Sequence, residues 1–398
     1  MDYLKLDESD MVTFSAPVNI AIIKYWGKSC QKLNLPMNSS LSLNLNQDHL
    51  QAKTTIATSS TFIKDRIWLN GKEQDVEGNT RLQACLKEIR RLARLQAVKR
   101  NEDVHRVTRC SQKVHISSRN NFPTAAGLAS SAAGYAALVA ALGQLYRVDG
   151  DLSGVARCGS GSACRSMLGG FVEWVKGGKS DGTDSIAQQF VGEEHWPELR
   201  VLIVVTSAQT KAVGSTEGMQ RSVETSALLQ HRVDNVVPDR MKALTDAILN
   251  KDFSAFAEIC MKESNQLHAV CQDTFPPLRY LNNVSEQIIR FVHAYNEHCS
   301  DTRVAYTFDA GPNAFLFVLE RHLSEVASLI YKIFGPATDN ATDFFRGERF
   351  KAYQSDLPDF ETKICPTSAE YVICTKAGPG PLQLFEHNIS PKTGLPLP

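Results

Sequence analysis

Residues 120–134 read NNFPTAAGLASSAAG, a polar turn and a proline followed by a run of Gly, Ala and Ser. Asn120, Asn121 and Pro123 signal the turn. From Gly127 onward, Leu128, Tyr135, Leu138, Val139 and Leu142 supply the apolar face of a helix. Small residues at such an entrance let a ligand approach backbone N–H groups. The helix N-terminus adds a dipole worth roughly +0.5 charge, so the combination suits a phosphate. Ser130 and Ser131 contribute hydroxyls for phosphate oxygen or for a magnesium ion bridging it. The chain lacks the G-x-x-x-x-G-K-[ST] spacing of a Walker loop. The competing reading is a buried helix whose small residues only save space.

A second Gly/Ser loop, GSGSACRS (159–166), brings three hydroxyls, two glycines and Arg165 together. Its backbone amides can turn toward an anion, and Arg165 can grip a carboxylate or phosphate through two parallel hydrogen bonds. The alternative is a flexible turn with a surface arginine. Lys24, Tyr25 and Trp26 directly follow an apolar run, where a poorly solvated lysine gains from an anion. A lysine snorkelling to water is the alternative, and Lys28 is either a second cation or a surface residue. Asp309 stands at the end of the strand 304–308, before a Gly-Pro turn. An Asx-type turn former and a catalytic carboxylate both fit that place. Ten histidines form no H-E-x-x-H pair, and no G-x-G-x-x-G follows the first strand.

Elements that alternate between helix and strand must position these groups, an α/β or α+β pattern. Strands are expected at 11–16, 19–28, 112–118, 171–175, 200–207, 303–308, 314–319 and 370–375. Alternation of Leu41, Leu43 and Leu45 with Ser42, Asn44 and Asn46 predicts a half-buried strand. Leu82, Leu86 and Ile89 mark an amphipathic helix with a basic outer face, and helices follow near 151–157, 216–230, 239–250, 253–270 and 283–298. Residues 336–368 read as a polar, irregular surface loop. The Gly-, Asp- and Ser-rich stretch 177–185 lies near a domain boundary.

Composition narrows the function classes. The 43 Lys and Arg residues balance 43 Asp and Glu residues, so no bulk field favours nucleic acid or an anionic membrane. An anionic substrate therefore needs a local cluster of cations. The ten cysteines show no zinc-like spacing, which fits free thiols in a reducing cytosol. No run approaches a membrane span, and neither terminus carries a recognised address.

Taken together, NIAIIKYWGK (19–28), LNLPMNSSLSL (33–43), NNFPTAAGLASSAAG, GSGSACRS and YTFDAGPNA (306–314) resemble the signature blocks of the mevalonate diphosphate decarboxylase family. That family sits in the superfamily of galactokinase, homoserine kinase, mevalonate kinase and phosphomevalonate kinase. The P-x-x-x-G-L-A-S-S core marks the superfamily, whereas KYWGK, SGSACRS and FDAGPN point to the decarboxylase branch. The tail GPGPLQLFEHNISPKTGLPLP is similar too.

The resemblance implies a two-domain fold of the GHMP-kinase kind. Residues 1–190 would form an ATP- and phosphate-binding domain like domain 2 of ribosomal protein S5. Residues 191–398 would form a ferredoxin-like domain, with substrates in the cleft between the two and the tail packed back on the first. The implied reaction converts ATP and (R)-5-diphosphomevalonate to isopentenyl diphosphate, carbon dioxide, ADP and phosphate, on the mevalonate route to isoprenoids and sterols. A cytoplasmic homodimer using ATP and Mg2+, with no nucleic-acid or membrane partner, is implied as well.

By resemblance, Ala126, Gly127, Leu128, Ala129, Ser130, Ser131 and Ser162 bind ATP, with Ser130 also near its magnesium. Asn19, Lys24, Tyr25, Arg81, Ser160 and Arg165 bind substrate, Arg165 through its carboxylate. Lys24, Ser130, Arg165 and Asp309 form the catalytic set, with Asp309 as base or orienting group at the C3 hydroxyl. Residues 206–219 read as a lid. The alternatives are a kinase that stops at the 3-phosphate and a silent binding relative.

Overall fold

The computed structural model describes residues 6, 10–122, 130–206, 212–336, 341–350, 357–360 and 362–398. Among these, the strands form sheets of six, four, five and two strands. The six-stranded sheet runs in the order Leu382–Leu384, Met11–Pro17, Gln51–Ser59, Lys113–Asn120, Arg66–Leu69, Lys72–Gln74. Helices Thr80–Lys99 and Ser130–Tyr146 share an apolar cluster with it, in which Leu82, Leu86 and Ile89 meet Ile56, Ile116, Leu138 and Leu142. The first of these helices starts where the Asn79 side chain accepts the N–H of Leu82, which caps an otherwise unpaired donor.

The four-stranded sheet runs Ala187–Val191, Phe171–Trp174, Ser40–Asn44, Asn19–Ile23. Residues 199–376 supply the five-stranded sheet, ordered Val304–Phe308, Ala314–Leu319, Leu199–Val205, Tyr371–Lys376, Phe345–Gly347. One continuous core joins the two. Ile20, Leu43 and Phe171 lie in the same cluster as Leu244 and Phe256 from the helices and Val201 and Phe317 from the five-stranded sheet. The helix Phe253–Asp273 fills the seam, touching both the Asn19–Ile23 and Val304–Phe308 strands. Helices Asn283–Cys299 and Glu320–Phe334 cover the other face of the five-stranded sheet.

The mixed α/β, two-lobed architecture matches the expectation, and several local expectations change. Ser40–Asn44 is buried at every position rather than on alternate ones, because Ser42 and Asn44 hydrogen-bond an arginine instead of water. In GSGSACRS, Gly159 ends the helix Ser153–Gly159, Ser160 is extended and the rest enters a 3-10 helix, Gly161–Met167, in place of the flexible turn held as the alternative. The region 336–368 is not simply a surface loop. Its described part includes a strand and the buried Phe344, and Phe360 lies 6.2 Å from the ring of Phe291. Residues 51–59 form an additional central strand, and 320–334 an additional helix.

The chain ends on the first lobe. Leu382–Leu384 pairs antiparallel with Met11–Pro17, placing Thr13 opposite Leu384. His387 Nδ1 lies 2.8 Å from Thr13 Oγ1, and the Asn388 N–H donates to Thr55 Oγ1 at 2.8 Å. His115, stacked on Phe62 with ring centroids 3.7 Å apart, bonds the Gly394 carbonyl through Nδ1 at 2.7 Å.

Candidate active site

A cavity of about 360 Å3 is lined by residues from 21–165 on one side and 214–310 on the other. It brings together Lys24, Tyr25, Arg81, Ser130, Ser131, Ser160, Ser162, Arg165 and Asp309. Ala126, Gly127, Leu128 and Ala129 lie outside the described residues, as do 207–211 of the expected lid. Within the remainder of that segment, a helix begins at Ser215 and Gly214, Ser215 and Thr216 face the cavity.

Lys24 ends the Asn19–Ile23 strand and does not snorkel, being 1% exposed. Its Nζ donates to Asp309 Oδ1 at 2.7 Å, across 285 positions of sequence. The Asp309 side chain keeps 30% of its surface open. The carboxylate is thus gripped on one side and free on the other. Imidazole comes close as well. His268 bonds the backbone of Phe308, and burial together with the nearby Lys24 ammonium pushes it down to about 4, so it is neutral near pH 7.

Arg165 is not on the surface either, at 2% exposed. Its Nε donates to Ser42 Oγ at 3.0 Å, Nη1 to Ser40 Oγ at 2.7 Å and Nη2 to Asn19 Oδ1 at 3.2 Å. The ring of Trp174 lies 6.0 Å from the guanidinium. Burial lowers the Arg165 pKa, against the smaller opposing pull of groups that include Asp309, and among the described residues no carboxylate forms an ion pair with it. Asn19 sits behind the cavity wall, its Nδ2 donating to Ser162 O at 3.1 Å and Ser166 Oγ at 2.8 Å. It holds Arg165 and the 3-10 helix in register with each other.

Tyr25 packs at 4.7 Å against Trp174, and burial raises its hydroxyl pKa, keeping it protonated. Its hydroxyl explains Gly161, where an added Cβ would stand 2.7 Å from that oxygen. Ser131 Oγ and Ser160 Oγ are 3.4 Å apart, so the two Gly/Ser loops meet. Ser130 is the first described residue of the helix Ser130–Tyr146. Arg81 and Lys28 complete a cationic wall. Arg81 donates to Thr216 Oγ1, and Lys28 Nζ donates to Asn34 Oδ1 at 2.6 Å. Burial and then the charge of Arg81 push Lys28 down to about 8. Two cations crowded into one wall favour a polyanion there.

A recess of about 540 Å3 adjoins this wall through Arg81, lined also by Ile67, Leu69, Gln74, Asn79 and Tyr135. Among the described residues no cluster of three or more His, Cys, Asp or Glu could hold a metal. The donor set of hydroxyls, ammonium and guanidinium groups fits phosphates, and any magnesium would ride on phosphate oxygens beside Ser130.

Several residues at or behind the cavity carried no sequence signal. The charged set Arg232, Arg240 and Glu263 is the example, whereas Asn34 and Trp26 stand inside sequence blocks already singled out, with no role assigned to either. Trp26 Nε1 donates to Ser222 Oγ at 2.9 Å. Arg232 and Glu263 are both 0% exposed and joined at 2.6 Å.

Comparison with known proteins is consistent along the whole chain. Residues 16–187 match the diphosphomevalonate decarboxylase-like N-terminal domain, and 201–384 the mevalonate 5-diphosphate decarboxylase C-terminal domain. The zebrafish (Danio rerio) diphosphomevalonate decarboxylase is 55% identical over 96% of this chain and 95% of its own. The human enzyme is 52% identical over 97% of each. An X-ray structure of mevalonate 5-diphosphate decarboxylase superposes with a TM-score of 0.85 at 43% identity, covering 97% of this chain and 100% of that one. MDDEF in complex with MVAPP, AMPPCP and magnesium superposes with a TM-score of 0.74 at 30% identity, covering 94% and 98%.

Proposed function

This chain belongs to the mevalonate diphosphate decarboxylase family, an ATP-dependent decarboxylase of mevalonate diphosphate, and from that premise we propose how its own residues perform the reaction. The observation that carries the proposal is the Lys24–Asp309 pair, at 2.7 Å, set in a wall of serines and cations.

In this reading the cationic wall of Lys28 and Arg81 takes the substrate diphosphate, and Ser160 and Tyr25 add hydrogen bonds. Arg165 meets the carboxylate. ATP phosphates lie along Ser130, Ser131 and Ser162, with the N-terminus of the Ser130–Tyr146 helix beneath them. The adjoining recess, apolar at Ile67, Leu69 and Tyr135 with amides at Gln74 and Asn79, suits the nucleoside. Magnesium, when bound, supplies charge neutralisation on the transferring phosphate.

Asp309 then accepts the C3 hydroxyl proton as that oxygen bonds to the γ-phosphorus and ADP departs. An alcohol is a weak acid, so the proton moves late, when phosphoryl transfer is well advanced. The C3–O bond next breaks, its electron pair leaving with phosphate. Electrons of the C1–C2 bond close the C2–C3 double bond as carbon dioxide leaves. Lys24 fixes the carboxylate so that its open side faces the hydroxyl. A water-poor pocket strengthens each of these charge interactions.

A division near residue 190, into 1–190 and 191–398, belongs to the same reading and is supported by where the two family matches end and begin. No described helix is long and apolar enough to cross a membrane. The ten free cysteines support a reducing, cytoplasmic setting. A homodimer, the commonest assembly for a soluble enzyme, and service to sterol synthesis complete the proposal.

The experiment supplies ATP, magnesium and (R)-5-diphosphomevalonate labelled at C1, and follows ADP and labelled carbon dioxide. Equal release is expected from the native chain. Asp309→Asn should bind both substrates and lose most turnover. Near-normal turnover in that variant removes the proposed role, and ADP without carbon dioxide means the chain stops at the 3-phosphate.

A further inference from the structure

Glu263 and Ser264 are consecutive buried residues of the helix Phe253–Asp273, and they reach opposite members of the Lys24–Asp309 pair. Glu263 Oε2 accepts the backbone N–H of Lys24 at 3.0 Å. Ser264 Oγ accepts the N–H of Phe308, the residue immediately before Asp309, at 3.0 Å. Among the described residues, Val304–Phe308 is the edge strand of its sheet and pairs only on its other side, with Ala314–Leu319. Ser264 therefore satisfies a donor that the ladder leaves over.

Arg232 ties the arrangement together. Its Nη2 donates to the Lys24 carbonyl at 3.1 Å and to Glu263 Oε2 at 2.6 Å. Asn38 Nδ2 donates to the same carbonyl at 3.1 Å, and Arg240 Nη1 bonds Glu263 Oε1 at 2.7 Å. Both peptide groups of Lys24 are thus pinned by buried side chains, most of them from the far lobe. A buried carboxylate is tolerable only when its partners are all in place, which makes such a cluster stiff. Glu263, Ser264 and Arg232 do not line the cavity. Their hydrogen bonds end on the backbone beside the reacting groups.

We propose that Glu263 and Ser264, with Arg232, are positioning residues that set the spacing of Lys24 and Asp309 by holding the backbone of each from neighbouring places on one helix. The inference rests on the reading of Lys24 and Asp309 as the reacting pair. Its physical basis is that the two anchor points are one helical step apart, about 1.5 Å in rise, and cannot drift relative to each other. The two reacting side chains come from different lobes, and a misplacement of about 1 Å can cost on the order of a hundredfold in rate.

Ser264 gives the cleaner test, since changing Glu263 strands two guanidinium groups. Steady-state kinetics would compare Ser264→Ala, Ser264→Thr, Asp309→Asn and the double variant Ser264→Ala/Asp309→Asn. Ser264→Ala should lower kcat about tenfold, with KM for ATP and diphosphomevalonate within about twofold of native. Ser264→Thr, which keeps the hydroxyl, should recover most of the rate. The double variant should be no slower than Asp309→Asn alone, because Ser264 acts through Asp309. A native kcat in Ser264→Ala, or losses that multiply in the double variant, would overturn the inference. Full turnover in Asp309→Asn would instead overturn the underlying reading, and the inference with it.

Discussion

Lys28 is a cavity residue whose charge changes close to physiological pH. Burial and Arg81 push it down to about 8, so the free enzyme carries the ammonium below that pH and loses it above. If Lys28 receives the diphosphate, kcat/KM for the substrate falls as pH rises through about 8. Bound anion favours the charged form, so kcat should change less over the same range. In Lys28→Arg the guanidinium stays charged, and the alkaline fall in kcat/KM should move out of the measurable range. A pH profile that keeps the same fall in Lys28→Arg would assign it to another group. His268 cannot account for such a step, being held neutral down to about 4.

Arg165 is presented by a short 3-10 helix, but a neighbouring strand seats it. Ser40 and Ser42 of the strand Ser40–Asn44 accept two of its N–H groups, and Asn44 Nδ2 donates to its carbonyl at 3.0 Å. Ser42→Ala leaves a buried guanidinium N–H without that acceptor, a loss of about 1–3 kcal/mol. The expected result is a rise of roughly tenfold in substrate KM with ATP KM nearly unchanged, read by varying each substrate in turn. Equal rises in both would show a general loosening of the lobe. The reach of sequence reading is clearest in this element. Alternating Leu and Ser, taken alone, describes a strand with one wet face; only the fold reveals that Ser42 and Ser40 face an arginine 123 and 125 positions away. Strand ends and small-residue loops marked the motif serines, Lys24 and Asp309 as candidates, but snorkelling and an Asx turn stayed open for the last two until the family resemblance singled them out. Glu263 and Arg232 leave no such mark, since an acidic or basic residue in a helix pattern ordinarily faces water. The helix Glu320–Phe334 begins after Leu319 with no side-chain cap, so no start signal announces it.

Across the whole molecule, the tail crosses back to the first lobe and extends its six-stranded sheet. Deleting residues 382–398 uncovers the edge of Met11–Pro17 and removes the acceptor of His115. The melting temperature should fall by about 5 °C or more, while turnover at low temperature persists because the cavity is lined elsewhere. A thermal melt unchanged by the deletion would show the tail to be passive. The seam between the lobes has a different consequence, for ancestry. Ile20 and Phe256 belong to one core, and the backbone of Lys24 is held by Glu263 and Arg232 from the other lobe. Such a chain does not exchange lobes freely with distant kin. A transplanted first lobe must meet the same buried carboxylate, or leave charges stranded at a cost of about 3–5 kcal/mol. Recombination within the gene is therefore expected to succeed only where both sides of that seam travel together, as a matched pair.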